Sequence, residues 1–298
     1  MIRIAITGAT GMLGHRLASE FQSSGYEVHA IIRSTDPSGE LVNGPLNGCI
    51  VHSGIDLTDR AKTETLIGNI APEIVVNAAG LIKQKHSEAE ESGLSDLNAE
   101  LPRFLGGLAT RLGFRFINIS TDCVFSGTRG KYTESDTTDC ADEYGKSKLR
   151  GEDCGTGSLV LRTSIIGREL KGSFGLLEWF LSKSGDGVHG FENAFFSGLS
   201  TIELARVVRS VIEKQPSLAG LYHVSGDRIS KADLLELIND LFETNATIER
   251  VAEPCIDRSL DSSRFRTETG YTPPTWKEML AEIAAESDQY EKWRTIKF

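Results

Sequence analysis

Short apolar runs alternate with stretches of helical periodicity along the first half of the chain. The runs at 2–6, 28–32, 50–52, 74–77, 116–119 and 159–162 each have the length of a strand. Between them, at 13–21, 63–70 and 101–112, apolar residues recur at the spacing of one helix face. Strands separated by helices form a parallel sheet that the helices cover. The pattern therefore predicts a doubly wound α/β protein.

The second half of the chain has a less regular pattern. Helical periodicity is found at 176–181, 202–212, 232–242 and 278–285, without regular alternation with strands. A chain of 298 residues suits one large domain or two closely joined ones. We therefore predict a first domain at 1–164 and a smaller C-terminal lobe at 165–298 that binds substrate, with room for segments that cross back.

A glycine-rich segment follows the first predicted strand. Its sequence is Thr7-Gly8-Ala9-Thr10-Gly11-Met12-Leu13-Gly14, with a glycine at every third position where strand gives way to helix. Glycine permits a tight turn and lets the backbone approach a pyrophosphate, which the amides at the helix N-terminus would bind. We interpret the segment as the dinucleotide-binding loop of a Rossmann fold. The cofactor contacts predicted here are Gly8, Thr10, Gly11, Met12, Leu13 and Gly14.

The end of the second predicted strand bears on the choice of dinucleotide. The sequence there is Ala30-Ile31-Ile32-Arg33-Ser34 and lacks the carboxylate that would accept from the ribose 2′-hydroxyl of NAD(H). Arg33 suits a 2′-phosphate better, because a guanidinium group binds phosphate through paired hydrogen bonds. The sequence favours NADP(H) and leaves NAD(H) open, the alternative for Arg33 being a solvated surface cation.

A tyrosine and a lysine lie four positions apart in Tyr144-Gly145-Lys146-Ser147-Lys148. On a helix this spacing puts both side chains on one face, where the ammonium group would lower the pKa of the tyrosine from about 10. The pair follows Ile117-Asn118-Ile119-Ser120-Thr121-Asp122, a strand that ends in hydroxyl groups. The combination indicates a site for proton transfer.

Composition and charge narrow the choice of partners. With 42 acidic and 32 basic residues the net charge is −10, and no run of cations could follow a phosphate backbone, so we expect no nucleic-acid partner. The 5 cysteines contain no C-x-x-C pair and no histidines accompany them at metal-ligand spacing, which predicts a reducing compartment and no metal. Without a signal-peptide pattern or a long apolar run, we expect a cytoplasmic protein that does not bind membranes.

Together these motifs resemble the extended short-chain dehydrogenase/reductase superfamily over the whole chain. The resemblance rests on the glycine loop, Ile55-Asp56-Leu57, Asn77-Ala78-Ala79-Gly80, Ser120-Thr121-Asp122 and Tyr144-x-x-x-Lys148. The segments most similar to the dTDP-4-dehydrorhamnose reductase group are Ser120-Thr121-Asp122-Cys123-Val124-Phe125-Ser126-Gly127, Tyr144-Gly145-Lys146-Ser147-Lys148-x-x-Gly151-Glu152, Leu161-Arg162-Thr163-Ser164 and Gly220-Leu221-Tyr222-His223.

The resemblance implies an enzyme that uses NADP(H) to reduce the 4-keto group of a nucleotide-activated 4-keto-6-deoxy sugar for polysaccharide or glycan biosynthesis. Thr121 would hold the substrate oxygen, Tyr144 would protonate it, and Lys148 would bind the nicotinamide ribose. Tyr144 and Lys148 thus also count as cofactor contacts. Further implied cofactor contacts are Asp56, Leu57, Asn77, Ala78, Ala79 and Gly80. The implied substrate contacts are Lys83, Asn98, Cys123 and Arg258. A homodimer is left open.

Two other functions stay open at this point. Cys123 occupies the position where some related epimerase-reductases carry an acid/base cysteine, so the protein could be a sugar-nucleotide epimerase; the alternative for Cys123 is a small neutral wall residue. The fold also serves non-catalytic subunits, such as the regulatory subunit of methionine adenosyltransferase. Departures from the group at Ile165 and at Leu81-Ile82-Lys83-Gln84-Lys85 leave the sugar and the nucleotide base undetermined.

Overall fold

The computed structural model describes residues 1–36, 38–81 and 93–298, and the elements below lie within these ranges. The strands are β1 (Arg3–Thr7), β2 (Glu27–Ile31), β3 (Ile50–His52), β4 (Ile74–Asn77), β5 (Arg115–Thr121), β6 (Leu159–Thr163), β7 (Ile165–Ile166), β8 (Gly187–Phe191), β9 (Ala194–Phe196), β10 (Leu199–Ser200), β11 (Gly220–His223), β12 (Ile229–Ser230), β13 (Thr247–Val251) and β14 (Ile256–Asp257). The α-helices are α1 (Gly14–Ser23), α2 (Arg60–Ile70), α3 (Leu101–Leu112), α4 (Glu143–Arg150), α5 (Leu176–Leu181), α6 (Thr201–Lys214), α7 (Lys231–Phe242), α8 (Ser263–Thr269), α9 (Trp276–Ala285) and α10 (Ser287–Trp293).

A parallel sheet forms the centre of the described structure. Its order is β11-β6-β5-β4-β1-β2-β3. From β1 the chain adds β2 and β3 on one side and then returns to add β4, β5 and β6 on the other. The order therefore reverses between β1 and β4, and doubly wound folds bind their ligands outside the carboxyl ends of the strands at such a point. The predicted doubly wound α/β class is confirmed.

Helices bury both faces of this sheet. Successive side chains of β1 point to opposite faces, so that Ile4 and Ile6 belong to one hydrophobic cluster and Ala5 to another. Side chains of α1 and α6 complete the first cluster, and side chains of α2 and α3 complete the second. A sheet that is covered on both faces explains why its strands are continuous apolar runs in the sequence.

The second half of the chain both extends the sheet and builds a smaller lobe. β11 pairs with β6 at the sheet edge, and α6 packs beside α1, so two elements from 165–298 cross back to the first domain. Among the remaining elements, β8 pairs with β13, and β9 pairs with β12 and β14. These short strands pack against α7, and α7 contacts α9. The boundary at 164 stays a prediction.

Candidate functional site

The glycine-rich loop connects β1 to α1 at the carboxyl edge of the sheet. Gly8 has φ +69°, and a Cβ there would lie 2.7 Å from the Cα of Ala79. A Cβ at Gly14 would lie 2.1 Å from the carbonyl oxygen of Gly8. Both positions require glycine, because any side chain would collide with backbone. The side chain of Leu13, the residue at the N-cap of α1, cannot accept a hydrogen bond, so no side chain caps the start of the helix and this end is open to a ligand.

Asn77 closes β4 with a buried chain of hydrogen bonds. Its Oδ1 accepts from the Thr7 hydroxyl at 2.6 Å, and its Nδ2 donates to Asn118 Oδ1 at 2.9 Å. The side chain of Asn77 is 1% exposed and therefore ties strands together rather than facing the cleft. The backbone that follows it, Ala78 to Gly80, becomes progressively exposed and runs directly beside the glycine loop.

Asn98 fastens the loop after β4 to α4. Its Nδ2 donates to the carbonyl of Leu81 at 3.0 Å and to the hydroxyl of Ser147 at 3.1 Å, and its Oδ1 accepts from the Leu81 amide at 2.9 Å. The predicted contact between Asn98 and substrate does not fit this geometry, because the amide is 1% exposed and both of its hydrogens are already donated. Asn98 instead positions the walls of the cleft.

Tyr144 and Thr121 come together at the carboxyl ends of the strands. α4 begins beside Asp142, whose Oδ1 accepts from the Gly145 amide at 2.8 Å, and this cap places Tyr144 in the first turn. Thr121 is the last residue of β5, and its side chain lies near enough to the phenol of Tyr144 to act on its pKa. Burial raises the pKa of Tyr144 above its ordinary value, and the Thr121 side chain opposes the shift. A phenol in this state keeps its proton at neutral pH and suits proton donation.

Lys148 lies deeper in the cleft than Tyr144. Its Nζ donates to the carbonyl of Ile119 at 2.6 Å, and a Cβ at Gly80 would lie 3.9 Å from the same nitrogen. Burial lowers the pKa of Lys148 to about 8. The sequence predicts a lowered pKa for Tyr144, and this net direction is wrong for the structure, because burial has the largest effect and raises the pKa.

A cluster of buried charges adjoins the tyrosine. The Asp122 carboxylate accepts a hydrogen bond from the Thr121 hydroxyl at 3.3 Å, and burial raises the pKa of Asp122 while the charge of Arg258 opposes the shift. Burial, followed by the charge of Asp122, raises the pKa of Cys123 to about 12, so this side chain is a neutral thiol near pH 7. The structure thus brings the predicted Cys123 and Arg258 to the same place as Thr121.

Lys231 is a member of this cluster that the sequence does not reveal. Burial lowers the pKa of Lys231, and the charges of Asp122, Arg258 and Cys123 act on it. From the sequence it is an ordinary lysine in the first turn of α7, since only the pairing of β12 with β9 brings that turn to the site. Arg258 Nε donates to the carbonyl of Phe125 at 2.8 Å. Arg258 and Lys231 thus provide two cations near the carboxylate of Asp122.

A cavity of about 510 Å³ extends from Lys231 into the smaller lobe. This volume lies within the usual range for small-molecule sites. Its walls include the aromatic rings of Trp179 and Phe191, and its polar groups include Lys183, Asp186 and His189. Flat aromatic walls beside a pair of half-buried cations suit a ligand with a planar ring and an anionic group.

Arg33 and Asp56 lie at the other end of the cleft, past β2 and β3. Both are exposed, whereas Leu57 is buried. Hydrogen bonds from Thr58 lower the pKa of Asp56, and the charge of Arg33 contributes to the same shift. The predicted adenosine-binding residues therefore share one edge of the sheet.

Three predictions either fall outside the residues that the structure describes or can be examined only within them. Lys83 lies outside them, in the segment 82–92. Within 1–36, 38–81 and 93–298, no group of three or more His, Cys, Asp and Glu side chains could hold a metal ion. In the same ranges, no helix is both long enough and apolar enough to cross a bilayer.

Comparison with known proteins places the chain in a family. The RmlD substrate binding domain family matches residues 2–289. The chain belongs to this family. The resemblance that the sequence motifs predict is therefore confirmed. The matched residues include the glycine loop, Tyr144 and the charged residues beside it.

Individual relatives differ in what they do. Methionine adenosyltransferase 2 subunit beta of Rattus norvegicus is 30% identical over 259 residues, 80% of this chain and 72% of that protein. The dTDP-4-dehydrorhamnose reductase of Aggregatibacter actinomycetemcomitans is 27% identical over 96% of this chain and 99% of that protein. The crystal structure of the dTDP-4-dehydrorhamnose reductase of Bacillus anthracis in complex with NADP superimposes with a TM-score of 0.79 at 22% identity, over 96% of this chain and 100% of that one. That likeness establishes the shared fold.

Proposed function

We propose that this RmlD-type protein is an NADP(H)-dependent reductase of the 4-keto group of a nucleotide-activated 4-keto-6-deoxy sugar. The observation that carries the proposal is the proximity of a buried, protonated Tyr144 to the Thr121 side chain at the carboxyl edge of the sheet. The pair lies between a glycine loop suited to a dinucleotide and a positively charged cavity suited to a nucleotide diphosphate. A dTDP-4-dehydrorhamnose reductase is among the relatives that span almost the whole chain.

The residues of the cleft fit a dinucleotide. Gly8 and Gly14 form a backbone cradle that a Cβ would fill, next to the uncapped first turn of α1. The 2′-phosphate would meet Arg33, the ribose and pyrophosphate would pass Ala78 to Gly80, and Lys148 would bind the nicotinamide ribose. When bound, NADPH supplies the hydride. A protein of the same fold has been solved in complex with NADP.

Proton transfer falls to Tyr144 and Thr121. As negative charge develops on the sugar oxygen, Tyr144 would donate its phenolic proton, and the hydroxyl of Thr121 would hold the same oxygen by a hydrogen bond. Burial raises the pKa of Tyr144, so that the group is fully protonated when the reaction begins. Lys148 is positively charged below a pH of about 8. Its charge would stabilise the tyrosine anion that forms when the proton leaves.

We assign substrate recognition to the two half-buried cations and the adjoining cavity. Arg258 and Lys231 would bind the diphosphate, because charge-assisted hydrogen bonds to phosphate gain strength in a site that excludes water. The base would enter the cavity beside Trp179 and Phe191. This arrangement places the sugar between the diphosphate and Tyr144.

The state of Cys123 favours reduction without epimerisation. An epimerase needs a group that removes a proton from carbon, and a thiolate could do so. Burial and the neighbouring Asp122 raise the pKa of Cys123 to about 12, which leaves little thiolate at neutral pH. We therefore assign Cys123 to the wall of the site.

The proposal is tested by incubating the protein with NADPH and a panel of 4-keto-6-deoxy sugars linked to dTDP, UDP, GDP or CDP, in deuterated water. We expect oxidation of NADPH with at least one substrate and no deuterium at the ring carbons next to the ketone. Incorporation of deuterium would indicate an epimerase. Absence of turnover with every substrate would contradict the assignment.

A non-catalytic subunit is the second candidate, because one relative is methionine adenosyltransferase 2 subunit beta. A binding subunit does not need a buried tyrosine beside a threonine side chain at the end of a strand, and this chain has that pair. The same panel separates the two functions. A protein that binds NADPH but turns over none of the sugars would support the regulatory role.

A further inference from the structure

The C-terminal helix packs directly against the start of the dinucleotide-binding helix. Tyr290 of α10 is 1% exposed, and its hydroxyl lies 2.5 Å from Nε2 of His15 in the first turn of α1. The two rings meet edge to face, with their centroids 5.6 Å apart. The family match ends at residue 289, so Tyr290 lies just beyond it.

The directions of these hydrogen bonds follow from chemistry. Nδ1 of His15 lies 2.8 Å from the carbonyl oxygen of Gly11, which can only accept, so Nδ1 carries the hydrogen. Burial lowers the pKa of His15 to about 3, so the ring is neutral and its Nε2 must accept from Tyr290.

The series of hydrogen bonds from Tyr290 through His15 ends at a peptide group of the glycine loop. The carbonyl of Gly11 accepts from the His15 ring and also from the His15 backbone amide at 3.3 Å. In a planar trans peptide the carbonyl of Gly11 and the N–H of Met12 point in opposite directions. Holding the carbonyl toward the helix therefore turns the Met12 N–H outward, to the side where a pyrophosphate would lie.

Contacts around Tyr290 hold its ring in place. The guanidinium of Arg168 lies 5.1 Å from the ring centroid, and its Nη2 is 3.1 Å from Glu291. Glu286, at the start of α10, pairs with Arg16 at 3.0 Å. Beyond the helix, Arg294 donates to the carbonyls of Glu169 and Gly172. The C-terminal helix is thus anchored to both the glycine loop and the smaller lobe.

We infer that Tyr290 is a positioning residue for dinucleotide binding: through His15 it fixes the Gly11–Met12 peptide in the orientation that receives the pyrophosphate. The inference rests on the proposed function, because it assumes that the loop binds NADPH. It assigns to the last helix a role in the cofactor site at the opposite end of the sequence. Tyr290 does not itself contact the ligand.

The test compares Tyr290→Phe with Tyr222→Phe. Tyr222 is a matched control: it is 3% exposed, its hydroxyl donates to Glu268 at 2.6 Å, and it lies outside the glycine loop. Dissociation constants are measured for NADPH and for adenosine 2′-monophosphate, which has no pyrophosphate, together with the melting temperature of each variant.

We expect Tyr290→Phe to weaken NADPH binding roughly five- to tenfold, the effect of one well-placed hydrogen bond. Tyr222→Phe should bind NADPH within about twofold of wild type, and neither variant should change the affinity for adenosine 2′-monophosphate by more than about twofold. His15→Phe should cause a similar loss, and the double variant should lose no more than the larger single loss, because the two residues act in series.

Three outcomes would overturn the inference. Unchanged NADPH affinity in Tyr290→Phe would overturn it while leaving the proposed function intact. Equal losses for NADPH and adenosine 2′-monophosphate would show that the substitution only loosens the domain. A wild-type protein that binds neither NADPH nor NADH would overturn both the inference and the proposed function.

Discussion

At the scale of single residues, the depth of a side chain matters more than its spacing. Lys148 and Tyr144 share a helix face as the sequence predicts, yet both pKa values follow burial: that of the tyrosine rises and that of the lysine falls to about 8. Spacing gives the direction of a side chain but not its depth below the surface. Sequence distance does not show that Arg33 is near Asp56 either. The two residues come together because they follow β2 and β3, which are neighbours in the sheet.

Lys148→Met should stabilise the protein at neutral pH. The pKa of Lys148 is about 8 in the folded state, below the unfolded value of about 10.4, so the cost of burying its charge is fully present below pH 8. The substitution should raise the free energy of unfolding by roughly 1–3 kcal/mol at pH 7. That gain should shrink as the pH rises from 8 toward 10, because the folded lysine loses its proton near pH 8 and no buried charge then remains.

Urea denaturation of wild type and Lys148→Met at pH 7 and pH 10 measures this difference. The variant should also lose reductase activity, since stability gained at a functional site commonly reduces function. A variant that is less stable than wild type at pH 7, or equally stabilised at both pH values, would show that burial of the charge is not costly.

Arg33→Ala should reduce the preference for NADPH. Loss of charge-assisted hydrogen bonds to a 2′-phosphate, worth about 1.5–3 kcal/mol, corresponds to roughly ten- to hundredfold weaker NADPH binding, with NADH affected far less. Arg111→Ala is the control, because Arg111 is an exposed arginine paired with Glu64 away from the cleft. The prediction fails if wild type binds NADH as tightly as NADPH.

At the scale of secondary-structure elements, a buried ion pair joins α4 to the sheet. Glu152 follows α4. Its carboxylate accepts hydrogen bonds from Nε and Nη2 of Arg162 on β6 at 2.8 and 2.6 Å. The hydroxyl of Ser120 on β5 donates to the same carboxylate at 2.6 Å. The side chains of Arg162 and Glu152 are only 5% and 9% exposed, so the pair fixes the end of the helix that carries Tyr144.

Glu152→Ala should lower the free energy of unfolding by about 3–5 kcal/mol, because it removes the carboxylate that balances the buried charge of Arg162. Glu64→Ala, which breaks the exposed pair with Arg111, should cost less than about 1 kcal/mol. Chemical denaturation of the two variants measures both values. Similar losses in the two would mean that the buried pair has no special role in stability.

The elements also show what the sequence can and cannot predict. The apolar runs predict six strands of the sheet, because a strand covered on both faces is apolar throughout. The alternating pattern does not predict β11, a four-residue edge strand that follows an irregular region. Lys231 is missed for a related reason: its place beside Asp122 depends on contacts between distant segments of the chain.

At the scale of the whole molecule, the site is assembled from both ends of the chain. The glycine loop and Thr121 come from the first domain, while Lys231 and Arg258 come from the smaller lobe. α10 then returns to the start of α1. The family motifs therefore indicate which residues meet at the carboxyl edge of the sheet, whereas the positions of the lobe's cations and of the C-terminal helix require the folded chain. The homodimer stays a prediction.

The central claim is that Tyr144 donates the proton in a ketone reduction, and Tyr144→Phe tests it most directly. The measurement is the single-turnover rate of NADPH oxidation with the best 4-keto sugar of the panel, alongside the NADPH dissociation constant, with Tyr271→Phe as a control for loss of a tyrosine hydroxyl elsewhere. We predict that Tyr144→Phe lowers the rate by about 10²–10⁴-fold while NADPH binding and the fold are retained. A Tyr144→Phe variant that reduces the sugar as fast as wild type would contradict the account.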